Sequence, residues 1–447
     1  MGKRVRERRP EMWVATTNFP TAASHPFYTR LNQRLAEHYF DDFVEGRCQP
    51  FYAEIMGRPG LPPGMYFRLL LIGYFEGIDS ERGIAWRAAD SFALRDFLGL
   101  GLEDARPDHS TISRTRRLID LETHRAVFTW VLQCLSTAGL VKGKTIGVDA
   151  TTLEANAALR SIVRRDSGES YQEFLTNLAK ASGIGTPTRA NLARIDRKRK
   201  NKGSNDDWTH PYDPDTRNTK MKDGRTHLAH KAEHAVDLET GAIVGVTVQG
   251  ADEGHTTTIQ ETRPEAAEQL EAVAAVTDEA VAVIEEVVAD KGYHSRTTVH
   301  DLETWEIHTY ISESDRGPQS WIDLEAERDA VYANRRRIRG DRGQCLLRKR
   351  GELLERPCAH LYETGGFRRV HVRGHQNVLK RLLVDASAFN LGLWMRTLFG
   401  IGTPRGLQGR LAALGGVLST LWSLVCKTIT PIGSQTDRPT PSVPTDE

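Results

Sequence analysis

Two short β-prone runs, each closed by an aspartate, constrain this chain most. Thr145-Ile146-Gly147-Val148 runs into Asp149, and Val287-Val288-Ala289 runs into Asp290. Apolar, β-branched runs of this length read as buried strands. An acid at the end of such a strand is poorly placed for packing and well placed to hold a hard cation. Between the two runs lies a hairpin signal. His227–Asp237 and Ala242–Gln249 flank the turn Leu238-Glu239-Thr240-Gly241, and Ile243–Val248 is strongly β-prone. Thr257–Ala282 reads as a helix and Ile284–Ala289 as the strand that ends at Asp290. The order strand, hairpin, helix, strand, helix predicts a mixed α/β sheet. In such a sheet the strands of Asp149 and Asp290 can be neighbours despite the 140 residues between them.

A third acid is available from the arginine-rich stretch that holds Glu352 and Glu355. Three carboxylates with open positions suit Mg2+, which keeps several of its waters. Two such ions about 4 Å apart can activate the attacking oxygen and stabilise the leaving oxygen of a phosphodiester. Pro357 is tolerated in the first turn of a helix, which would put Glu355 at a helix start, where N–H groups favour an anion. That reasoning favours Glu355 over the alternative, Glu352.

The chain's 447 residues suit two or three domains, and 27% charged residues with a net charge of +1 describe no generic polycation. The charge is unevenly placed: Arg335–Arg350 carries eight Lys/Arg against one Asp. Such a stretch on a neutral chain suggests a phosphate track, with Arg335, Arg336, Arg337, Arg348 and Arg350 as its candidate contacts. Five scattered cysteines without a CxxC pair support neither a disulfide framework nor a zinc knuckle, which fits a reducing cytoplasm. The charged start Met1-Gly2-Lys3-Arg4 has no apolar stretch of signal-peptide type behind it. The longest apolar run, the 16 residues Leu411–Cys426, falls short of the about 20 a membrane span needs, so a packing helix is expected there.

Residues 1–25 read as a flexible arm, 26–140 as a helical domain, 141–427 as the α/β domain and 428–447 as a disordered, proline-containing tail. A polar insertion over about 160–224 is expected to be largely mobile. Within the helical part, Phe67–Phe75 is a core helix, and Asp79-Ser80-Glu81-Arg82 can cap the next one, running through Trp86. Asp108–Arg117 opens a third, whose Ser110, Thr111, Arg114, Arg116 and Arg117 suit contact with a DNA backbone. Asn377–Phe399 reads as a helix apolar along one side.

These segments, in this order, resemble a bacterial insertion-sequence transposase of the DDE class nearly end to end. Arg58–Pro63 and Asp108–Ser113 resemble its N-terminal domain, and Val148–Thr152 its first-aspartate strand. Lys222–Lys231 resembles the second strand and Ala289–Tyr293 the second-aspartate motif. Gly351–Pro357 resembles the third-acid helix, and Gly365–Arg369 the segment directly after that helix. Tyr362 departs from the family pattern, in which a lysine commonly lies seven residues beyond the third acid. The resemblance implies an α/β ribonuclease-H-like catalytic core with a mixed sheet, preceded by an all-α DNA-binding domain. It implies Asp149, Asp290 and Glu355 as catalytic metal ligands for two Mg2+ ions, for which Mn2+ can substitute. The partners it implies are DNA (terminal inverted repeats and target) and a second copy of the chain in a synaptic dimer, with no membrane and no small-molecule substrate. The setting is the bacterial cytoplasm at the nucleoid. His230, Lys231, Lys291, Arg356 and Arg368 join the candidate DNA contacts. Two other readings use the same residues: an inactive DNA-binding repressor of transposition, and a metal-dependent nuclease that does not join strands.

Overall fold

The computed structural model describes residues 26–406, except 54–59, 102–103, 201, 222, 278–282, 316 and 318. The expected arm, the apolar run at 411–426 and the tail lie outside the described residues.

From Pro26 to Thr137 the chain is helical. The elements are α1 (Pro26–Glu37), α2 (Phe40–Cys48), α3 (Pro63–Glu76), α4 (Glu81–Asp90), α5 (Phe92–Phe97), α6 (His109–Leu118) and α7 (Leu121–Thr137). Local chemistry sets their ends. α3 starts with proline in its first turn, where the missing N–H costs nothing, and stops at Gly77, whose φ of 69° suits glycine. Side chains of Ser80, Ser91, Asp108 and Asp120 accept N–H bonds at the starts of α4, α5, α6 and α7.

The sheet comes next in the chain. Its main strands are β1 (Thr145–Ala155), then, after the insertion, β5 (Thr226–Asp237), β6 (Ile243–Gly250), β7 (Glu286–Ala289) and β8 (His308–Ile311). The spatial order is β6-β5-β1-β7-β8, with β5 antiparallel to both β1 and β6, and β1, β7 and β8 parallel. The hairpin signal and both runs that lead to the acids form strands, but β1 does not end at Asp149: it continues to Ala155, paired with β5 as far as Glu154, so only Asp290 stands at a strand end. Helices α10 (His255–Ala274), α11 (Arg296–Thr304), α12 (Glu325–Arg339), α13 (Asp341–Ala359) and α14 (His375–Phe399) surround the sheet. This mixed α/β arrangement is compatible with a ribonuclease-H-like fold.

The insertion is more structured than its composition suggests. β2 (Val163–Arg164) pairs with β3 (Trp208–Thr209), β4 (Arg217–Lys220) joins the sheet beside β5, and α8 (Tyr171–Ala181) packs on α9 (Arg189–Lys198). Trp208 centres a small core, with the rings of Tyr171 and Phe174 at 4.9 and 5.4 Å. A few large aromatics suffice to hold such a unit, because each buries a large area.

α14 differs from its expected one-sided pattern. It is buried almost all round, since α3 and α7 cover one side and β6 the other. Its polar residues survive there because each is paired. Arg381 Nε donates to Asp385 at 3.1 Å, and Lys380 Nζ donates to the carbonyls of Arg116 and Ile119. Asn390 bonds both the N–H and the C=O of Ile243. One apolar core runs from α1 through α3, α7 and α14 into the sheet.

Candidate active site

Asp149 and Asp290 stand side by side on neighbouring strands. Parallel pairing joins Thr145 to Glu286, Ile146 to Val287 and Gly147 to Val288. Two residues further on come Asp149, inside β1, and Asp290, directly after the last residue of β7, on neighbours roughly 4.8 Å apart. Side chains alternate along a strand, so Asp149 shares the face of Gly147. That face is covered by α13: a Cβ on Gly147 would lie 2.5 Å from Leu354 Cδ1. Asp290 caps the short turn Lys291–Tyr293 by accepting the N–H of Gly292 at 2.8 Å.

Under these acids lies a buried polar network that the sequence did not single out. Tyr293 and Glu233 are both fully buried, and the Tyr293 hydroxyl donates to Glu233 Oε1 at 2.7 Å. Thr258 of α10 donates to the same oxygen at 2.7 Å. Burial pushes the Glu233 carboxyl up, against the opposing hydrogen bonds from Thr262, Thr258 and Tyr293. It also raises the Tyr293 phenol, and the charges of Glu233, Asp149 and Asp290 act in the same direction. The two candidate acids thus bear on one phenol. The ring of His255 packs on Tyr293 at 4.8 Å, and burial lowers its imidazole. No signal in the sequence pointed to Glu233, because alternation along β5 puts it on the face of Lys231 and Asp237, which reads as open.

On the α13 face, His234 stands opposite Asp149 in the β1–β5 pairing. Burial lowers its imidazole to about 4, and the Tyr362 hydroxyl lies 3.0 Å from its Nε2. Tyr362, the departure from the family pattern, is therefore a packing residue of the sheet face that bears Asp149, not a phosphate contact.

The third acid is not gathered with the pair. α13 extends from Asp341 to Ala359, so Pro357 lies in its last turn and Glu355 near its carboxyl end. The expected helix start at Glu355 is overturned, and with it the electrostatic reason for preferring that residue. Past Pro357 the chain passes into one wide π turn, His360–Thr364. Gly343, Leu346, Leu354 and Pro357 are buried, whereas Glu352 and Glu355 are exposed. Arg350 takes the inward place instead, its Nη2 3.1 Å from Asp149 Oδ1. Among the described residues, no three His, Cys, Asp or Glu side chains form a group that could hold a metal ion.

The candidate DNA contacts divide sharply. Ser110, Arg114 and Arg117 on α6 are exposed, as are Lys291, Arg336, Arg348, Arg356 and Arg368. Thr111 is half-buried. Arg116 is paired with Glu81 of α4, Arg335 with Glu313, and Arg337 with Glu303 and the Thr309 carbonyl. Arg368 pairs with Glu363. His230 and Lys231 are corrected. His230 is fully buried beside Asp213 and the ring of His375, and Lys231 is 5% exposed and donates to the Glu253 carbonyl. Both faces of β5 are covered, so neither side chain reaches a surface where a phosphate could lie. No helix among the described residues is long and apolar enough to cross a membrane.

No curated protein matches the chain. Residues 24–118 match the model of a family described as a transposase domain (DUF772). That stretch is less than a quarter of the 447 residues and ends where α6 ends, before either aspartate. The likeness of this helical region to a transposase domain supports a transposase of the insertion-sequence type.

Proposed function

We propose that this protein is a DDE transposase, which binds the terminal inverted repeats of an insertion sequence, cuts DNA at the element end and transfers the freed 3′ end to a target. The observation that carries the reading is the pair Asp149 and Asp290, at equivalent positions along adjacent parallel strands in a sheet of order β6-β5-β1-β7-β8. It stands behind a region matched by a transposase-domain family. The strand order suits a ribonuclease-H-like core.

The donor set fits Mg2+ in kind, since carboxylate oxygens are the hard ligands that ion prefers. Asp149 and Asp290 would hold it, with Mn2+ as a substitute. Bound metal would supply Lewis acidity to the attacking and leaving oxygens of the phosphodiester. Of the two glutamates, Glu355 is the better third acid. It lies one residue past the sheet-facing Leu354, about 100° round the helix, whereas Glu352 lies roughly 160° from that direction. A turn of α13 by about that 100° would bring Glu355 toward the aspartates, a smaller rotation than Glu352 would need. The exposed Ser110, Arg114 and Arg117 of α6, in the matched region, would meet the DNA backbone. Two element ends call for two copies of the chain in the synaptic complex.

The test is cleavage and joining of labelled DNA from either flank of the gene, in Mg2+ or in EDTA. Metal-dependent nicking by the wild type, lost in Asp149→Asn and Asp290→Asn, is expected. Binding without any nicking by the wild type would instead establish the repressor reading. The outward-facing glutamates are what favour that second reading. Nicking without joining would establish the nuclease.

A further inference from the structure

The inward face of α13 presents a cation to the acid site. Arg350 lies on the side of the helix that carries Gly343, Leu346, Leu354 and Pro357, and its guanidinium meets Asp149 at 3.1 Å. Its side chain is 17% exposed and that of Asp149 is 30%. The other basic residues of this helix, Arg342, Arg348, Lys349 and Arg356, are exposed. So the burial of Arg350 is specific to its position. Its Nε is buried and without a hydrogen-bond partner. An orphaned donor of this kind is costly, and it is tolerated where another interaction offsets it. Here the offset is the Asp149 carboxylate.

We infer that Arg350 is a built-in counter-cation of the acid site, which competes with a divalent metal for Asp149. This rests on the DDE reading and deepens it. A divalent cation on the same carboxylate would stand within a few ångströms of the guanidinium, and two positive charges at that distance repel. Metal entry therefore displaces Arg350. The displacement also loosens an ionic contact that helps to fix the present rotation of α13, the helix that carries Glu352 and Glu355. Arg350 thus ties metal binding to the placement of the third acid.

The experiment is a Mn2+ titration of the full chain, reading free Mn2+ by its electron paramagnetic resonance signal at fixed ionic strength. It compares the wild type, Arg350→Ala, Arg350→Gln and Asp149→Asn. Thermal melts confirm that each is folded, and Arg350→Gln keeps most of the side-chain volume should the alanine variant melt early. The expected result is a Kd for Mn2+ about tenfold lower in both Arg350 variants, equivalent to ~1.4 kcal/mol, and site occupancy lost in Asp149→Asn. Should Asp149→Asn abolish binding while both Arg350 variants bind as the wild type does or more weakly, the competition is overturned and the acid site stands. Mn2+ binding that is indifferent to Asp149→Asn overturns the acid site itself, and the competition with it.

Discussion

Gly147 is the point at which α13 touches the strand of Asp149, and adding one methyl group there tests how that contact sets the site. A Cβ at Gly147 would lie 2.5 Å from Leu354 Cδ1 and 2.8 Å from Leu238 Cδ2. Carbon atoms rest at about 3.5–4.0 Å, so the overlap with Leu354 is about 1 Å. Leu354 is 1% exposed and packed, so it cannot swing into solvent. Gly147→Ala is therefore expected to cost about 1–3 kcal/mol through overpacking. Leu354→Ala alone is expected to cost about 2–5 kcal/mol, because it leaves a cavity under α13. The double variant is the decisive one. With Leu354 shortened, the new methyl fills space that the leucine vacated, and only the contact with Leu238 remains tight. The combined cost should fall below the sum of the single costs by about 1–2 kcal/mol. Urea unfolding of the four proteins measures this. Costs that add to within about 0.5 kcal/mol would refute the argument, because they would mean that the two positions do not meet. Nicking of element-end DNA should fall in Gly147→Ala even under conditions where the protein stays folded, since α13 is pushed off the strand that carries Asp149.

Further expectations concern the rest of the frame. Burial lowers the His124 imidazole to about 4, and the ring is held neutral between the Asp120 carbonyl, to which Nδ1–H donates, and the Tyr66 hydroxyl. Its folded value lies below the unfolded one of about 6.5, so the stability it contributes is present above pH 6.5 and is lost as the pH falls toward 4. In His124→Gln the slope of unfolding free energy against pH in that window should drop by up to about 1.4 kcal/mol per unit; an unchanged slope in urea titrations would contradict the assignment. Asn390 satisfies both main-chain groups of Ile243, at 2.9 and 2.8 Å, and Asn334 does the same for Ile311 at 3.0 and 2.9 Å. Asn390→Ala should lower stability by about 2–4 kcal/mol, since two buried groups lose their partners, and a loss below about 1 kcal/mol in the same assay would show that water replaces the amide.

How much of the fold was legible in the residues depended on how each segment is buried. β1 opens with, and β7 consists largely of, an apolar, β-branched run, and the acids that follow these runs are conspicuous, though nothing in the residues told that β1 would continue past Asp149 to Ala155. The hairpin of β5 and β6 showed itself through its turn and the run Ile243–Val248. β5 misled because its polar residues, His230, Lys231, Glu233 and His234, suggest an open face, whereas helices and loops cover both sides. A buried polar network resembles a solvated surface when only residue types are known. α14 hid its all-round burial in the same way, with Lys380, Arg381, Asp385 and Asn390 each matched to a partner group. At Pro357 a sound local rule gave the wrong end of the helix. Proline is favoured in a first turn, but α13 carries it in its last, next to a π turn. The direction of a helix face depends on what packs against it, and no spacing along α13 told that Arg350 rather than a glutamate would look inward.

The placement of α14 has a consequence for how the chain comes into being. Domains usually fold as they leave the ribosome, the amino-terminal one first. Here the helices α3 and α7 are finished early, yet one of the surfaces they bury against, α14, is not synthesised until residues 375–399. Through the making of the entire sheet and its insertion, the apolar sides of those early helices have no permanent cover. The nascent chain must therefore wait, shielded by chaperones or by provisional contacts, until one late helix arrives to close both halves together. Any chain released before that point would lack a surface against which α3 and α7 pack.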